Sequence, residues 1–460
     1  MLTKRLLAAS LALTMLLPLA ACGKDGEETQ TTPHTDKVTM PTVIEDEENP
    51  IEKLPEGENE IIWMSHYDLN PSANVDRDVA LTLFEDVYGG KIKYSQTSWN
   101  TRFDDLANAI MSNKDVPDIF PYEWIAVPCG VSKNMYQPID SIVDFDDPLW
   151  VDVKQDAEIY AINGKHYVAP FYFDISLWLF YQKDKLADAG IADPYELYLE
   201  GNWTWDTFEE ISAQWADLGE DYYPLTGAFA DRFVPTTGQT LIVNDNGTFV
   251  DNTSHPDIER AMAWLYDYAK NGWIYDTYLG EPVNAFSSSV NILFDGIGPW
   301  AGLNDYTPTD ENHGWGAVCI PLDPNTNEKI CVSDMKAHMW VNGSTKDKAV
   351  KCWFECNRIA QTDEEYKAVD EQKFWANNPY WTQEMYDMYT EMKSPEFKKA
   401  FDFGYGVSDT IANNAMDRLY FSVTRSTDGV QNTYASVRAD WQGFIQSELD
   451  AVNAAVAAME

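Results

Sequence analysis

Glu60-Ile61-Ile62-Trp63-Met64, Ile92-Lys93-Tyr94 and Asp118-Ile119-Phe120-Pro121 are three short apolar runs separated by two stretches of helical spacing. In the first stretch Val75, Val79, Leu83 and Val87 recur one turn apart until Gly89-Gly90 ends the pattern. In the second, Trp99, Phe103, Leu106 and Ile110 do the same. Apolar residues at that period mark one buried helix face, and short apolar runs bounded by turn residues mark strands. Strand, helix, strand, helix, strand is the order of a parallel sheet covered by helices, so the fold class is α/β. Ligands of such sheets bind beyond the carboxyl ends of strands. That makes Tyr67 and Asp68, after the first strand, and Tyr122, Glu123 and Trp124, after the third, candidate site residues.

Downstream the alternation resumes. Lys165 to Pro170 and Trp178 to Tyr181 read as strands, with Asp174 just past the first of them. Helices are predicted near Trp205–Leu218 and Ile258–Asn271. Leu241-Ile242-Val243 and Thr248-Phe249-Val250 flank Asn244-Asp245-Asn246-Gly247, whose Asn-Gly step predicts a tight hairpin. Val430, Tyr434, Val437, Trp441, Ile445, Leu449, Val452 and Val456 share one face of a long closing helix, with room for one break.

Upstream, Lys4 and Arg5 precede an apolar run from Leu6 to Ala21 that closes on Leu19-Ala20-Ala21-Cys22. A run this short, broken by Pro18, predicts a cleavable export segment over residues 1–21 rather than a membrane span. Its end resembles a bacterial lipobox, which implies a diacylglycerol on Cys22. The expected location is the outer face of the bacterial cytoplasmic membrane, on a Gram-positive type of cell surface. Residues 22–59 are rich in Gly, Thr, Pro and acids, with too little apolar surface to order themselves, and read as a flexible tether.

The remaining 400 or so residues suffice for two domains. The net charge of the chain is −43, which opposes nucleic acid and anionic lipid as partners. Five cysteines beyond Cys22 (Cys129, Cys319, Cys331, Cys352, Cys356) are an odd number widely spaced, so no disulfide framework follows, and they read as small buried hydrophobes. No phosphate loop, zinc-protease motif or serine elbow is present, and neither metal nor cofactor is expected. Gly296-Ile297-Gly298-Pro299-Trp300-Ala301 matches a loose dinucleotide pattern, but Pro299 removes a backbone donor that a pyrophosphate would need.

Several ordered stretches resemble family 1 extracellular solute-binding proteins, the group that includes maltose- and other oligosaccharide-binding proteins of ABC importers. They are Met111 to Ile119; Gly164 to Pro170 with Phe180 to Leu186, where Gln182 replaces the usual Asn; and Trp203-Thr204-Trp205-Asp206-Thr207-Phe208, where Thr207 replaces a capping Glu. Ile292 to Trp300, Gly316 to Leu322 and Val341 to Ala349 complete the set. The resemblance implies a two-lobed fold of the type II periplasmic-binding-protein kind, with discontinuous lobes, hinge strands and a cleft between the lobes. It assigns residues 60–168 and about 335–395 to lobe 1, and 169–334 and about 396–460 to lobe 2.

It also implies a function without catalysis: a monomeric subunit that captures a small molecule, expected to be a sugar or oligosaccharide, by hinge closure and hands it to the transmembrane permease subunits of an ABC importer. Sugars need carboxylates or amides for their hydroxyls and flat rings for their C–H faces. The resemblance places Glu123, Trp124 and Trp300 near sugar-contacting positions, and Tyr405 in Phe403-Gly404-Tyr405-Gly406 joins Tyr67, Asp68, Tyr122 and Asp174 as a further candidate. A peptide or polyol cargo, a secreted glycoside hydrolase using two carboxylates, and a surface adhesin are the alternatives.

Overall fold

A computed structural model describes residues 53–70, 77–227, 229–303, 314–427 and 430–459. The export segment, Cys22 and residues 23–52 of the tether lie outside these. The chain is already fastened inside the stretch expected to be tether: the Leu54 N–H donates to the Tyr88 carbonyl at 2.9 Å, and Glu58 pairs with Lys348 at 3.2 Å.

The strands are β1 Glu60–Ser65, β2 Lys91–Gln96, β3 Ile119–Pro121, β4 Val168–Ile175, β5 Trp178–Gln182, β6 Tyr222–Gly227, β7 Ile242–Asp245, β8 Thr248–Asp251, β9 Asn291–Ile297, β10 Trp315–Val318, β11 Ile330–Trp340 and β12 Lys398–Ala400. β1 lies between β2 and β3 and is parallel to both, as the strand and helix alternation predicts. Beyond β3 the sheet turns mixed, because β11 and then β4 join antiparallel. Connections as long as those before β4 and β11 let strands enter in either direction. A second sheet has the order β10-β5-β9-β6.

Only Ser176 and Leu177 separate β4 of the first sheet from β5 of the second, and β11 brings the chain back. These two strands are therefore the crossings. Lys336 opposes Tyr172 while Ala337 opposes Pro170, so Phe171 is an extra residue in β4. Proline donates no hydrogen bond to a ladder, and a bulge is where a strand tolerates it. The strand runs on through this bulge, which places Asp174 inside β4 rather than past its end.

Local chemistry explains the other elements. Asn246 and Gly247 both have positive φ, 49° and 91°, as a two-residue primed turn between β7 and β8 requires. In the helix Trp205–Ala216, the Thr204 N–H donates to the Thr207 hydroxyl at 3.0 Å, so threonine supplies the capping contact expected of glutamate. That helix buries Trp205, Phe208, Ile211 and Trp215, and Trp205 stacks on Trp264 with ring centres 5.2 Å apart. The closing helix is continuous over Tyr434–Ala457, while Val430 belongs to a short strand before it. All five cysteines beyond Cys22 are buried.

The helix Gln383–Lys393 bridges the two sheets: Tyr389 donates to Asp174 of β4 at 3.4 Å, and other side chains reach the second sheet's side. Glu384 pairs with Lys183, and Tyr198 donates to Glu391 at 2.6 Å. Just before it, Trp381 stacks on Trp178 of β5 at 5.6 Å.

Candidate functional site

A cavity of about 880 Å³ opens where the ends of β1 and β3, the crossing strands β4 and β11, and the segments around Arg232 and Tyr405 converge. Three aromatic side chains on its wall keep large open surfaces, Tyr67 at 43%, Trp99 at 50% and Trp124 at 49% exposure. Wide rings that keep about half their surface open in a concave site suit a ligand with flat apolar faces.

One cluster builds most of the β1 and β3 side. Arg102, in the first turn of the helix Arg102–Ser112, donates from Nε to both carboxylate oxygens of Glu123 at 2.7 Å, and its Nη2 adds a further bond to the same carboxylate. Its guanidinium lies 3.7 Å from the Trp99 ring centre, and its Nη1 donates to the Trp99 carbonyl. A planar cation thus fixes both an aromatic platform and a carboxylate. His66 packs edge-on against Trp99 at 5.0 Å and against Tyr67 at 5.0 Å. The Trp63 indole N–H holds the Tyr67 carbonyl at 2.9 Å. Partial burial, helped by the nearby Glu123 charge, pushes the Tyr67 phenol up to about 12.

Across the cavity, the Tyr405 hydroxyl donates to Asp231 at 3.2 Å, Asp231 pairs with Arg232, and Arg232 Nε donates to the Ser176 hydroxyl at 2.9 Å. Burial, reinforced by Asp231, holds the Tyr405 hydroxyl well above the ordinary tyrosine value. Gly406 makes this wall possible: a Cβ there would stand 1.9 Å from the Val127 carbonyl oxygen and 2.6 Å from that of Trp124. Only glycine lets the segment carrying Tyr405 lie on the loop carrying Trp124, whose rings sit 6.4 Å apart. Below them, Asp402 accepts from the N–H groups of Leu241 at 2.9 Å, Ile242 at 3.1 Å and Gly404 at 3.0 Å.

A family model for bacterial extracellular solute-binding proteins matches residues 72–355, more than half of the chain. The chain belongs to the bacterial extracellular solute-binding protein family. Solved structures with a similar fold include the galacto-N-biose-/lacto-N-biose I-binding protein of Bifidobacterium longum in complex with lacto-N-biose. That protein is 12% identical, with a TM-score of 0.61 over 85% of this chain and 97% of that one. The sugar-binding protein MalE of Xanthomonas citri is 16% identical, with a TM-score of 0.59 over 87% and 98%. UgpB of Mycobacterium tuberculosis in complex with glycerophosphocholine is 16% identical, with a TM-score of 0.57 over 85% and 98%.

In this solute-binding protein, Tyr67, Tyr122, Glu123, Trp124 and Tyr405 all line this cavity. Three other candidates stand elsewhere. Asp68 is exposed and accepts from the Asn70 N–H at 2.9 Å, closing its own turn. Asp174 faces the opposite side of β4, where it accepts from the Ile175 N–H at 2.9 Å and the Tyr389 hydroxyl at 3.4 Å. Trp300 is half exposed in the short helical turn Pro299–Gly302, off the cavity wall.

The sequence reading missed Trp99, Arg102, Asp231 and Arg232. Trp99 was counted on a helix face, but the helix starts at Arg102. The signal available was the polar run Ser98-Trp99-Asn100-Thr101, a turn that precedes the helix and takes Trp99 off its face. Asp231 and Arg232 follow β6 as one acid and one base, and nothing in their spacing separates them from a surface pair.

Proposed function

We propose that this protein captures a sugar or oligosaccharide in the cleft beside β4 and β11, without converting it, and delivers it to the membrane permease of an ABC importer. The observation that carries this reading is the set of open rings, Tyr67, Trp99 and Trp124, around a wall rich in carboxylates. Asp78, Glu123, Asp231, Asp334, Asp370 and Asp402 outnumber Arg232 and Lys336 on that wall, which favours a neutral polyhydroxylated ligand over an anion. Family membership supports the importer role. The Bifidobacterium longum protein is named for galacto-N-biose and lacto-N-biose, and the Xanthomonas citri protein is described as sugar-binding, which supports the choice of cargo.

Closure about β4 and β11 would bring the segment that carries Trp300 toward the same ligand, since its neighbour Gly298 already lies against Ser176 at the cavity edge. The lipobox-like Leu19-Ala20-Ala21-Cys22 supports anchoring of a monomer to the outer leaflet through Cys22.

Thermal unfolding of residues 53–460 against mono- and oligosaccharides, peptides and polyols tests the reading. A ligand that binds only the native state at a hundredfold excess over Kd adds about 2.7 kcal/mol. A shift with sugars that is lost in Trp124→Ala and Trp99→Ala supports it; a shift with peptides alone contradicts the cargo.

A further inference from the structure

A second chamber of about 1030 Å³ lies behind β4, between that strand and the helices Glu364–Asn377 and Gln383–Lys393. It shares wall residues with the first: Phe171, Tyr172, Ala360, Gln361 and Asp370 line both. Side chains of neighbouring strand residues normally point to opposite faces, and the bulge at Phe171 breaks that alternation at this point. Tyr172 is thus a wall of both spaces, with its ring toward Lys393 of the second.

The far chamber repeats the chemistry of the near one. The Lys393 ammonium lies 4.7 Å from the Tyr389 ring centre and 5.2 Å from that of Tyr172. Its one hydrogen bond among the described residues is a long one, 3.4 Å, to the Tyr389 hydroxyl. An ammonium has three donors, so its capacity is largely unspent. Asp174 and Asp370 flank it without forming an ion pair within 4.0 Å among the described residues, and burial holds the Lys393 pKa below the usual lysine value. Rings, an underused donor and carboxylates in one concave space suit hydroxyls and a sugar face. A simple anion would meet Lys393 but also both carboxylates. Single-ligand pockets run to roughly 1,000 Å³, so the first chamber alone accommodates a short ligand and the pair provides for more.

We propose that the two chambers form one extended binding trench, and that the cargo is an oligosaccharide long enough to pass Tyr172 and place its end between Lys393 and Tyr389. This rests on the sugar reading above and adds ligand length to it.

The experiment is calorimetric titration of the full chain with linear α-1,4-gluco- and β-1,6-galacto-oligosaccharides of two to six residues, for the unmodified protein, Lys393→Met and Tyr389→Phe. The expected result is affinity that rises at least about tenfold from the disaccharide to the longest member. Lys393→Met should erase that rise and leave the disaccharide within about twofold, with Tyr389→Phe intermediate. Unchanged melting temperatures would show that both variants fold. Equal affinity at every length, or a rise that both variants retain, overturns the extended trench while the sugar reading stands. Absence of binding by any member, with a shift by peptides, overturns both.

Discussion

Replacing Arg102 by Met should destabilise this protein by about 3–5 kcal/mol, because removing one partner of a buried ion pair leaves the other charge uncompensated. The side chains of Arg102 and Glu123 are only 9% and 12% exposed, so water can do little for a lone Glu123 carboxylate. The guanidinium over the Trp99 ring adds about 0.5–2 kcal/mol to the loss. Urea unfolding followed by circular dichroism measures the sum. Glu123→Gln in the Arg102→Met background removes the stranded charge and should restore part of the stability, giving a coupling of about 1–3 kcal/mol in the double-mutant cycle. Ligand affinity should fall about tenfold in Arg102→Met, since both the Trp99 platform and the Glu123 acceptor lose their common support. An Arg102→Met protein within about 0.5 kcal/mol of the parent, with additive double-mutant energies, would refute the reasoning.

Three further expectations follow from other parts of the molecule. Gly406→Ala forces a Cβ into two backbone oxygens and should cost about 1–3 kcal/mol or more, with weaker sugar binding as Tyr405 moves from Trp124; melting and titration check both. Asp295 is buried, its Oδ2 has no partner among the described residues, and burial, helped by Glu281, raises its carboxyl to about 8. The folded state therefore keeps a proton that the unfolded chain releases above about pH 4. Its contribution to stability, present below that pH, is lost progressively up to about pH 8. Asp295→Asn should flatten the fall of stability across that window, and an unchanged slope would contradict the assignment. A chain starting at Lys53 should bind as the full chain does. One starting at Glu60 loses the Leu54 and Glu58 contacts and should melt lower with the same affinity.

Local patterns that carry their own physics were legible in the sequence. Asn246-Gly247 specified its hairpin because only residues tolerant of positive φ fit that turn. The parallel core β3-β1-β2 followed from alternating periods. The walls that depend on contacts distant in sequence were not legible. Asp174 was misplaced because Pro170 looks like a strand end, whereas Lys336 and Ala337, more than 160 residues later, accommodate it in a bulge. Arg102 carried no mark of its role, since its partner Glu123 is 21 residues away across a helix and a strand. Gly406 reads as one more glycine until Val127 is seen against it. Trp124 was legible because aromatic loop residues beyond strand ends are a site signature, whereas Tyr405, in the helical turn Gly404–Val407, follows no strand that the sequence reading named.

The most direct test of the central claim is small-angle scattering of residues 53–460 with and without a saturating sugar identified by thermal shift. Capture in a closing cleft predicts one-to-one saturable binding with a smaller radius of gyration in the complex. Saturable sugar binding with an unchanged radius would contradict closure about β4 and β11. No saturable binding of any sugar would contradict the claim itself.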